Sequence, residues 1–264
     1  MSDAIRVGLV GFGYASKTFH APLIGGTPGM ALKAVASSDA DKVHADWPGV
    51  KVMSAPGDLL DDPDIDLVVI ATPNDTHFPQ AKAAREAGKH VVVDQPFTVT
   101  LSQARELESL AKHCGRVLSV FHNRRWDSAF LTVRTLIDEG LLGEVCCFES
   151  HFDRFRPQVR QRWREQAGPG SGIWYDLAPH LLDQVVVLFG LPVSITVDLA
   201  QLRPGAQSTD YFHAVLAYPQ RRVVLHGTLL AAAESARFIV HGSRASYIKY
   251  GLDPQEERLK NGER

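Results

Sequence analysis

The feature that most constrains this chain is a change of texture after residue 121. In the first half, short apolar runs alternate with helix-length amphipathic runs. That is the pattern of βαβ units, because parallel strands need a long crossover between them. Strands are expected at Ile5–Val10, Leu32–Ala36, Leu67–Ala71, Val91–Val93 and Val117–Val120, and helices at Ala15–Ile24, Phe78–Ala87 and Ser102–His113. Gly88 and Gly115 follow two of these helices, where the left-handed conformation that ends a helix favours glycine. Beyond Phe121 come a helix over Phe130–Glu139, closed by Gly140, and strand-like segments Glu144–Phe152, Val193–Leu199, His213–Ala217, Arg222–Leu229 and Phe238–His241. Turns such as Tyr218-Pro219-Gln220 are too short for a parallel crossover. The expectation is an α/β chain: a doubly wound parallel sheet over 1–121, then an α+β domain on a mainly antiparallel sheet over 122–264. The closing run Lys260-Asn261-Gly262-Glu263-Arg264 is polar, with no helix or strand expected there, so the second domain reads as truncated.

The first strand runs directly into Gly11-Phe12-Gly13-Tyr14-Ala15-Ser16, a G-x-G-x-x-G pattern with serine in the third place, and a helix follows. Strand, glycine loop and helix in that order form the Rossmann fingerprint. Gly11 makes the tight turn, and Gly13 lets backbone N–H groups of the Phe12, Tyr14 and Ala15 region approach a pyrophosphate. About 20 residues further on, where a carboxylate would bind the ribose hydroxyls of NAD, the second strand ends in Ala36-Ser37-Ser38-Asp39. The neutral Ser37 and Ser38 tolerate a 2′-phosphate, so NADP is favoured. Asp39 lies close enough to keep NAD open.

Hydrophobic residues make up 45%, charged residues 22%, and the net charge is -2, which gives no reason to expect nucleic acid or an anionic membrane as partner. The start MSDAIRVGLVGFG does not read as a leader, and no apolar run approaches the roughly 18 residues of a membrane span. A cytoplasmic protein with a small-molecule ligand is expected. Cys114, Cys146 and Cys147 show no metal-ligand spacing, so they read as reduced and structural, with no metal site.

Four further motifs follow in order: Ala71-Thr72-Pro73-Asn74-Asp75-Thr76-His77, Val91-Val92-Val93-Asp94-Gln95-Pro96-Phe97, Phe121-His122-Asn123-Arg124-Arg125-Trp126 and Gly170-Ser171-Gly172-Ile173-Trp174-Tyr175-Asp176-Leu177-Ala178-Pro179-His180. With the glycine loop they resemble the glucose-fructose oxidoreductase/inositol dehydrogenase family, and within it the NADP-dependent scyllo-inositol dehydrogenases. The resemblance runs from the first strand to about residue 250. It implies a Rossmann domain followed by an α+β domain whose open sheet forms a homodimer or higher homo-oligomer. It also implies that Thr72, Asn74, His77, Asp94, Asn123 and the Trp163-Arg164 pair lie along the cofactor. Asp176 and His180 match the family's D-x-x-x-H, in which the histidine transfers the proton and the aspartate orients it or the substrate. Arg154 and Tyr175 are carried as further polar groups facing a polyol.

Oxidising a sugar alcohol moves hydride to a nicotinamide while a base takes the hydroxyl proton. A histidine titrates near neutrality, and Asp176 four residues earlier shares its face if the segment is helical. The bland reading makes Asp176 a helix cap with Pro179 in the first turn. Gln95 stands where the family keeps a lysine that touches the reacting hydroxyl. An amide there donates a hydrogen bond but carries no charge and relays no proton. The expected function is hydride transfer between NAD(P) and the hydroxyl or keto carbon of an inositol or related sugar, impaired by Gln95. The competing reading is a non-catalytic nucleotide-binding or ligand-sensing protein on the same fold.

Overall fold

The computed structural model describes residues 4–263, which divide into two compact units: the chain up to Phe121 together with residues from Pro254 onward, and His122–Asp253. The sequence reading assigned everything after 121 to the second domain. In the structure the boundary after Phe121 separates the two units, and residues from Pro254 pack with the first.

The first unit contains six strands, β1 (Ile5–Val10), β2 (Met30–Ala36), β3 (Lys51–Met53), β4 (Leu67–Ile70), β5 (His90–Val93) and β6 (Leu118–Val120). They form one sheet, parallel throughout, in the order β3-β2-β1-β4-β5-β6. Its helices are α1 (Ala21–Gly26), α2 (Ala40–Asp46), α3 (Pro56–Asp61), α4 (Asn74–Glu86) and α5 (Leu101–Cys114). Side chains of alternate strand residues enter two separate cores, one per face of the sheet. Val7, Leu9, Val35, Leu67 and Val69 pack with Ala21, Ile24 and Val43, whereas Val10, Val68, Ile70, Val91 and Val93 pack with Leu59, Ala81, Ala84 and Leu107. Strands covered on both faces explain the unbroken apolar runs.

Helix α5 is bounded by chemistry visible in the sequence. Thr100 accepts from Gln103 N while the Gln103 side chain accepts from Thr100 N, and Gly115 ends the helix at φ +59°. The helix expected over Ala15–Ile24 is present, with a π-type turn over Ser16–His20 that runs directly into α1. Pro22 has no N–H to give the carbonyl four residues back, and the helix widens just before it.

The second unit holds α6 (Ser128–Asp138), α7 (Gly172–Phe189), and strands β7 (Val145–His151), β8 (Ser194–Ala200), β9 (Tyr211–Ala217), β10 (Arg222–Thr228), β11 (Ala236–Gly242) and β12 (Ser246–Tyr250). The sheet order is β12-β11-β7-β10-β9-β8, antiparallel except where β10 meets β7. Ile173, Leu177, Leu181 and Val185 follow the helical period along α7 and pack on Phe148, Phe212, Leu225 and Phe238.

The sequence reading named none of α2, β3, α3, β12 or α8 (Gln255–Lys260), and α8 ends where the polar closing run begins. Among the described residues there is no disulfide, no cluster suited to a metal ion, and no helix long and apolar enough to cross a membrane.

Candidate active site

The candidate residues fall into two groups, one in each unit. In the first unit they lie at the carboxyl ends of the parallel strands, where open α/β sheets bind ligands. Gly11 leaves β1 at φ +85° and donates to Ala36 O at 2.9 Å, and a Cβ on it would sit 2.9 Å from Ala71 O. The loop is thus wedged against the ends of β2 and β4, and only glycine fits. A Cβ on Gly13, by contrast, would meet nothing within 4 Å, so the loop keeps an open backbone face of the kind a pyrophosphate requires. Phe12 is buried in the core, leaving its backbone as its contribution, while Tyr14 is exposed and Ala15 half-buried. Ser16, the departure from the glycine pattern, is fully buried and donates from Oγ to Gly11 O at 2.8 Å, bracing the loop from within.

At the end of β2, Ser37 Oγ accepts from Asp39 N at 3.1 Å in a tight local turn, and Ser38 is exposed. Asp39 caps α2, its Oδ1 accepting from Lys42 N at 3.0 Å. The nearby carboxylate is therefore committed to the helix, leaving the two serines as the strand-end groups.

After β4, Thr72 Oγ1 lies 2.6 Å from Thr76 Oγ1 and donates to Gln80 Oε1 at 2.9 Å, and Asn74 is buried at the start of α4. His77 corrects an expectation. It is 1% exposed, and its ring nitrogens face Thr72 O at 2.9 Å and Pro96 O at 2.8 Å. The ring clamps the β4 and β5 loops together and has no nitrogen left for a cofactor.

Asp94 Oδ1 accepts from Gln95 N at 2.7 Å, and the Gln95–Pro96 peptide is cis. Asp94 Oδ2 lies 3.4 Å from His20 Nε2, without hydrogen-bond alignment. Burial opposes ionisation of Asp94, but the His20 ring and the Gln95 N–H prevail and hold the carboxyl below its ordinary pKa. His20 also packs on Phe121 at 4.2 Å between ring centroids. The sequence reading missed His20; the available signal was a polar ring four residues after Ser16 in the helical repeat.

In the second unit, α7 begins at Gly172, whose φ of +83° and closeness to the Thr209 backbone admit no side chain. Asp176 and Pro179 lie inside the helix, with Ser171 as N-cap residue, so the reading of Asp176 as a cap is overturned. Asp176 is held by two guanidiniums, Arg164 Nε at 3.2 Å from Oδ1 and Arg154 Nη1 at 3.7 Å from Oδ2. His180 stands one turn further on, 8% exposed, and Tyr175 is half-buried beside the pair. The Arg164 guanidinium stacks 4.5 Å over Trp163, and that of Arg154 lies 4.9 Å from the Phe152 ring centroid.

The loop bearing Trp163 and Arg164 is pinned by a buried network with no sequence signature. Arg203 binds Glu165 Oε2 at 3.1 Å, Asp210 Oδ2 at 3.0 Å, and the carbonyls of Arg156 and Gln158 at 3.0 and 3.1 Å. Asn123 opens a 3-10 turn, Asn123–Trp126, fixed by a bidentate Arg125–Asp183 pair at 2.6 Å on both arms.

Residues 5–122 match the family pattern described as an oxidoreductase family with an NAD-binding Rossmann fold, and residues 134–264 match that family's C-terminal alpha/beta domain. The oxidoreductase YdgJ of Escherichia coli K12 is 80% identical over 264 residues, which are all of this chain and 76% of YdgJ. The scyllo-inositol 2-dehydrogenase (NADP(+)) IolW of Bacillus subtilis is 38% identical over 98% of this chain and 73% of its own length. A solved oxidoreductase structure from Yersinia pestis superposes with a TM-score of 0.95 at 69% identity, covering 100% of this chain and 75% of that one. The B. subtilis oxidoreductase YvaA gives 0.96 at 37% identity, covering 99% and 75%. The chain belongs to the Gfo/Idh/MocA family of oxidoreductases, with that family's NAD-binding Rossmann fold and C-terminal alpha/beta domain.

Proposed function

We propose that the protein transfers hydride between NADP and a hydroxyl or keto carbon of an inositol or related sugar, with His180 as the proton-transfer group. The observation that carries this reading is the Asp176 carboxylate, flanked by Arg154 and Arg164 one helical turn before His180. Two guanidiniums fix the position of that carboxylate, whose oxygens can accept hydrogen bonds from a polyol, with Arg154 and Tyr175 as the further polar groups of this reading. In the oxidative direction His180 takes the hydroxyl proton, and in the reductive direction it returns one.

NADP supplies the hydride acceptor or donor when bound. The backbone from Gly11 to Ala15 would hold its pyrophosphate. Thr72, Asn74, Asp94, Asn123 and Trp163 are the remaining cofactor-side groups of this reading. NADP is preferred over NAD because Ser37 and Ser38 are neutral while Asp39 is engaged as a helix cap. The name of IolW, an NADP-dependent dehydrogenase of scyllo-inositol, supports both cofactor and substrate class.

Gln95 favours slow turnover. An uncharged amide loses a charge-assisted contact to a developing alkoxide, which costs about 1.5–3 kcal/mol. The same substitution favours a second reading in which the chain binds nucleotide without catalysis. The protein is further proposed to act as a cytoplasmic homo-oligomer, pairing through the face of the second sheet that carries Val215, Val224 and Ile239, opposite α7.

The test is nucleotide reduction by wild type and His180→Gln across a panel of inositols and aldohexoses. The variant should lose about 10²- to 10⁴-fold in kcat. An unchanged kcat would remove His180 from the mechanism. Nucleotide binding with no turnover on any polyol would instead select the second reading.

A further inference from the structure

The C-terminal helix α8 packs against the π-type turn that follows the dinucleotide loop, and its polar contacts converge on one residue of that loop. Tyr14 Oη donates to Glu256 Oε1 at 2.6 Å. Lys260 lies 3.3 Å from Glu256 and is ion-paired with Glu257, and its ammonium stands 5.8 Å from the centre of the Tyr14 ring. Phe19 packs against the ring edge to face at 6.0 Å. Burial and the Glu256 carboxylate both raise the Tyr14 pKa, so the phenol stays protonated and remains the donor. Below these contacts Leu259 faces Pro22 and Leu23 of α1 across a shallow cavity of about 350 Å³.

None of this is explained by the core, because α8 has no fully buried residue and Tyr14 is 55% exposed. Nor does it obstruct the loop, since the space over Gly13 remains open with α8 in place. The contacts grip the loop through its one long exposed side chain and leave the backbone face of the loop free.

We propose that Tyr14 and Glu256 form a latch through which α8 holds the glycine loop in its nucleotide-binding shape, making both of them positioning residues for the cofactor. The inference rests on the reading that this loop receives the pyrophosphate. A flexible glycine loop loses conformational freedom when it binds, and a latch that orders it beforehand removes part of that cost. Linkage then requires the reverse effect: bound nucleotide must stabilise the docking of α8 by the same factor.

The experiment compares wild type, Tyr14→Phe and Glu256→Gln by NADP titration and by hydrogen exchange of residues 255–262 with and without NADP. Tyr14→Phe deletes one hydroxyl. It should weaken NADP binding about three- to tenfold, the size expected for losing one exposed hydrogen bond. The loss should be larger in nucleotide KM than in kcat. Glu256→Gln keeps a neutral acceptor and should fall between wild type and Tyr14→Phe. In wild type NADP should slow exchange across 255–262, and in Tyr14→Phe that protection should shrink. Wild-type affinity in Tyr14→Phe, or exchange at 255–262 unaffected by NADP in wild type, overturns the latch while leaving the proposed function standing. A wild-type protein that binds neither NADP nor NAD overturns both, and the titration shows this before any variant is made.

Discussion

Replacing Arg203 with methionine should be among the most costly single changes in the second unit. The guanidinium is 4% exposed and satisfies two carboxylates, Glu165 and Asp210, and two carbonyls, all within 3.1 Å. Methionine refills most of the volume but leaves Asp210 and Glu165 buried without their shared cation. Breaking a buried pair in this way costs about 3–5 kcal/mol, against about 1 kcal/mol or less for a surface pair. Urea unfolding followed by tryptophan fluorescence reports mainly on this unit, because Trp126, Trp163 and Trp174 lie in it and only Trp47 lies in the first.

The pH dependence supplies an independent sign. Burial raises the Glu165 pKa, but the Arg160 N–H, Arg162 and Arg203 outweigh it and hold the carboxyl below its ordinary value. A depressed folded pKa contributes stability above the unfolded value, roughly 4.3 for glutamate, and that stability fades as pH falls through the folded value. The gap between wild type and variant should therefore be widest at neutral pH and narrow on acidification. A gap under about 1 kcal/mol at neutral pH, or one that grows as pH falls, would refute the view that Arg203 holds the Arg164 loop in place.

Two further outcomes follow from the first unit. Gly11→Ala forces a side chain to φ +85° and 2.9 Å from Ala71 O, so it should cost about 1–3 kcal/mol of stability and abolish nucleotide binding by calorimetry. Ser37→Asp places a carboxylate at the end of β2 and should shift the ratio of NAD to NADP affinity by about tenfold or more toward NAD; an unchanged ratio would show that this position does not read the 2′-phosphate.

The elements legible in the sequence were those whose signals are local. Gly88, Gly115 and Gly140 marked helix ends because the left-handed conformation favours glycine, and each takes a positive φ. Asp176 and His180 share a helix as their spacing suggested, although the helix starts early enough to remove the capping alternative. Strand β3 has only three residues and α3 six, too short for a period to emerge. His77 was carried as a cofactor contact by the family resemblance alone, whereas its ring faces a carbonyl 19 residues away that no local pattern reveals. The Arg203 network escaped for the same reason, since its carboxylate Glu165 lies 38 residues from the arginine. Helix α8 was missed because its side chains are polar nearly throughout, and its order comes from Tyr14 and α1 more than from an apolar stripe.

The central claim, a hydride-transfer site slowed by the amide at position 95, is tested most directly by NADP-dependent turnover of Gln95→Lys beside wild type at saturating inositol. The account predicts that lysine raises kcat by about 10- to 150-fold, the rate equivalent of the charge-assisted contact it restores, with NADP affinity little changed. An unchanged kcat would contradict the role given to position 95, and no turnover in either protein would contradict the proposed enzyme.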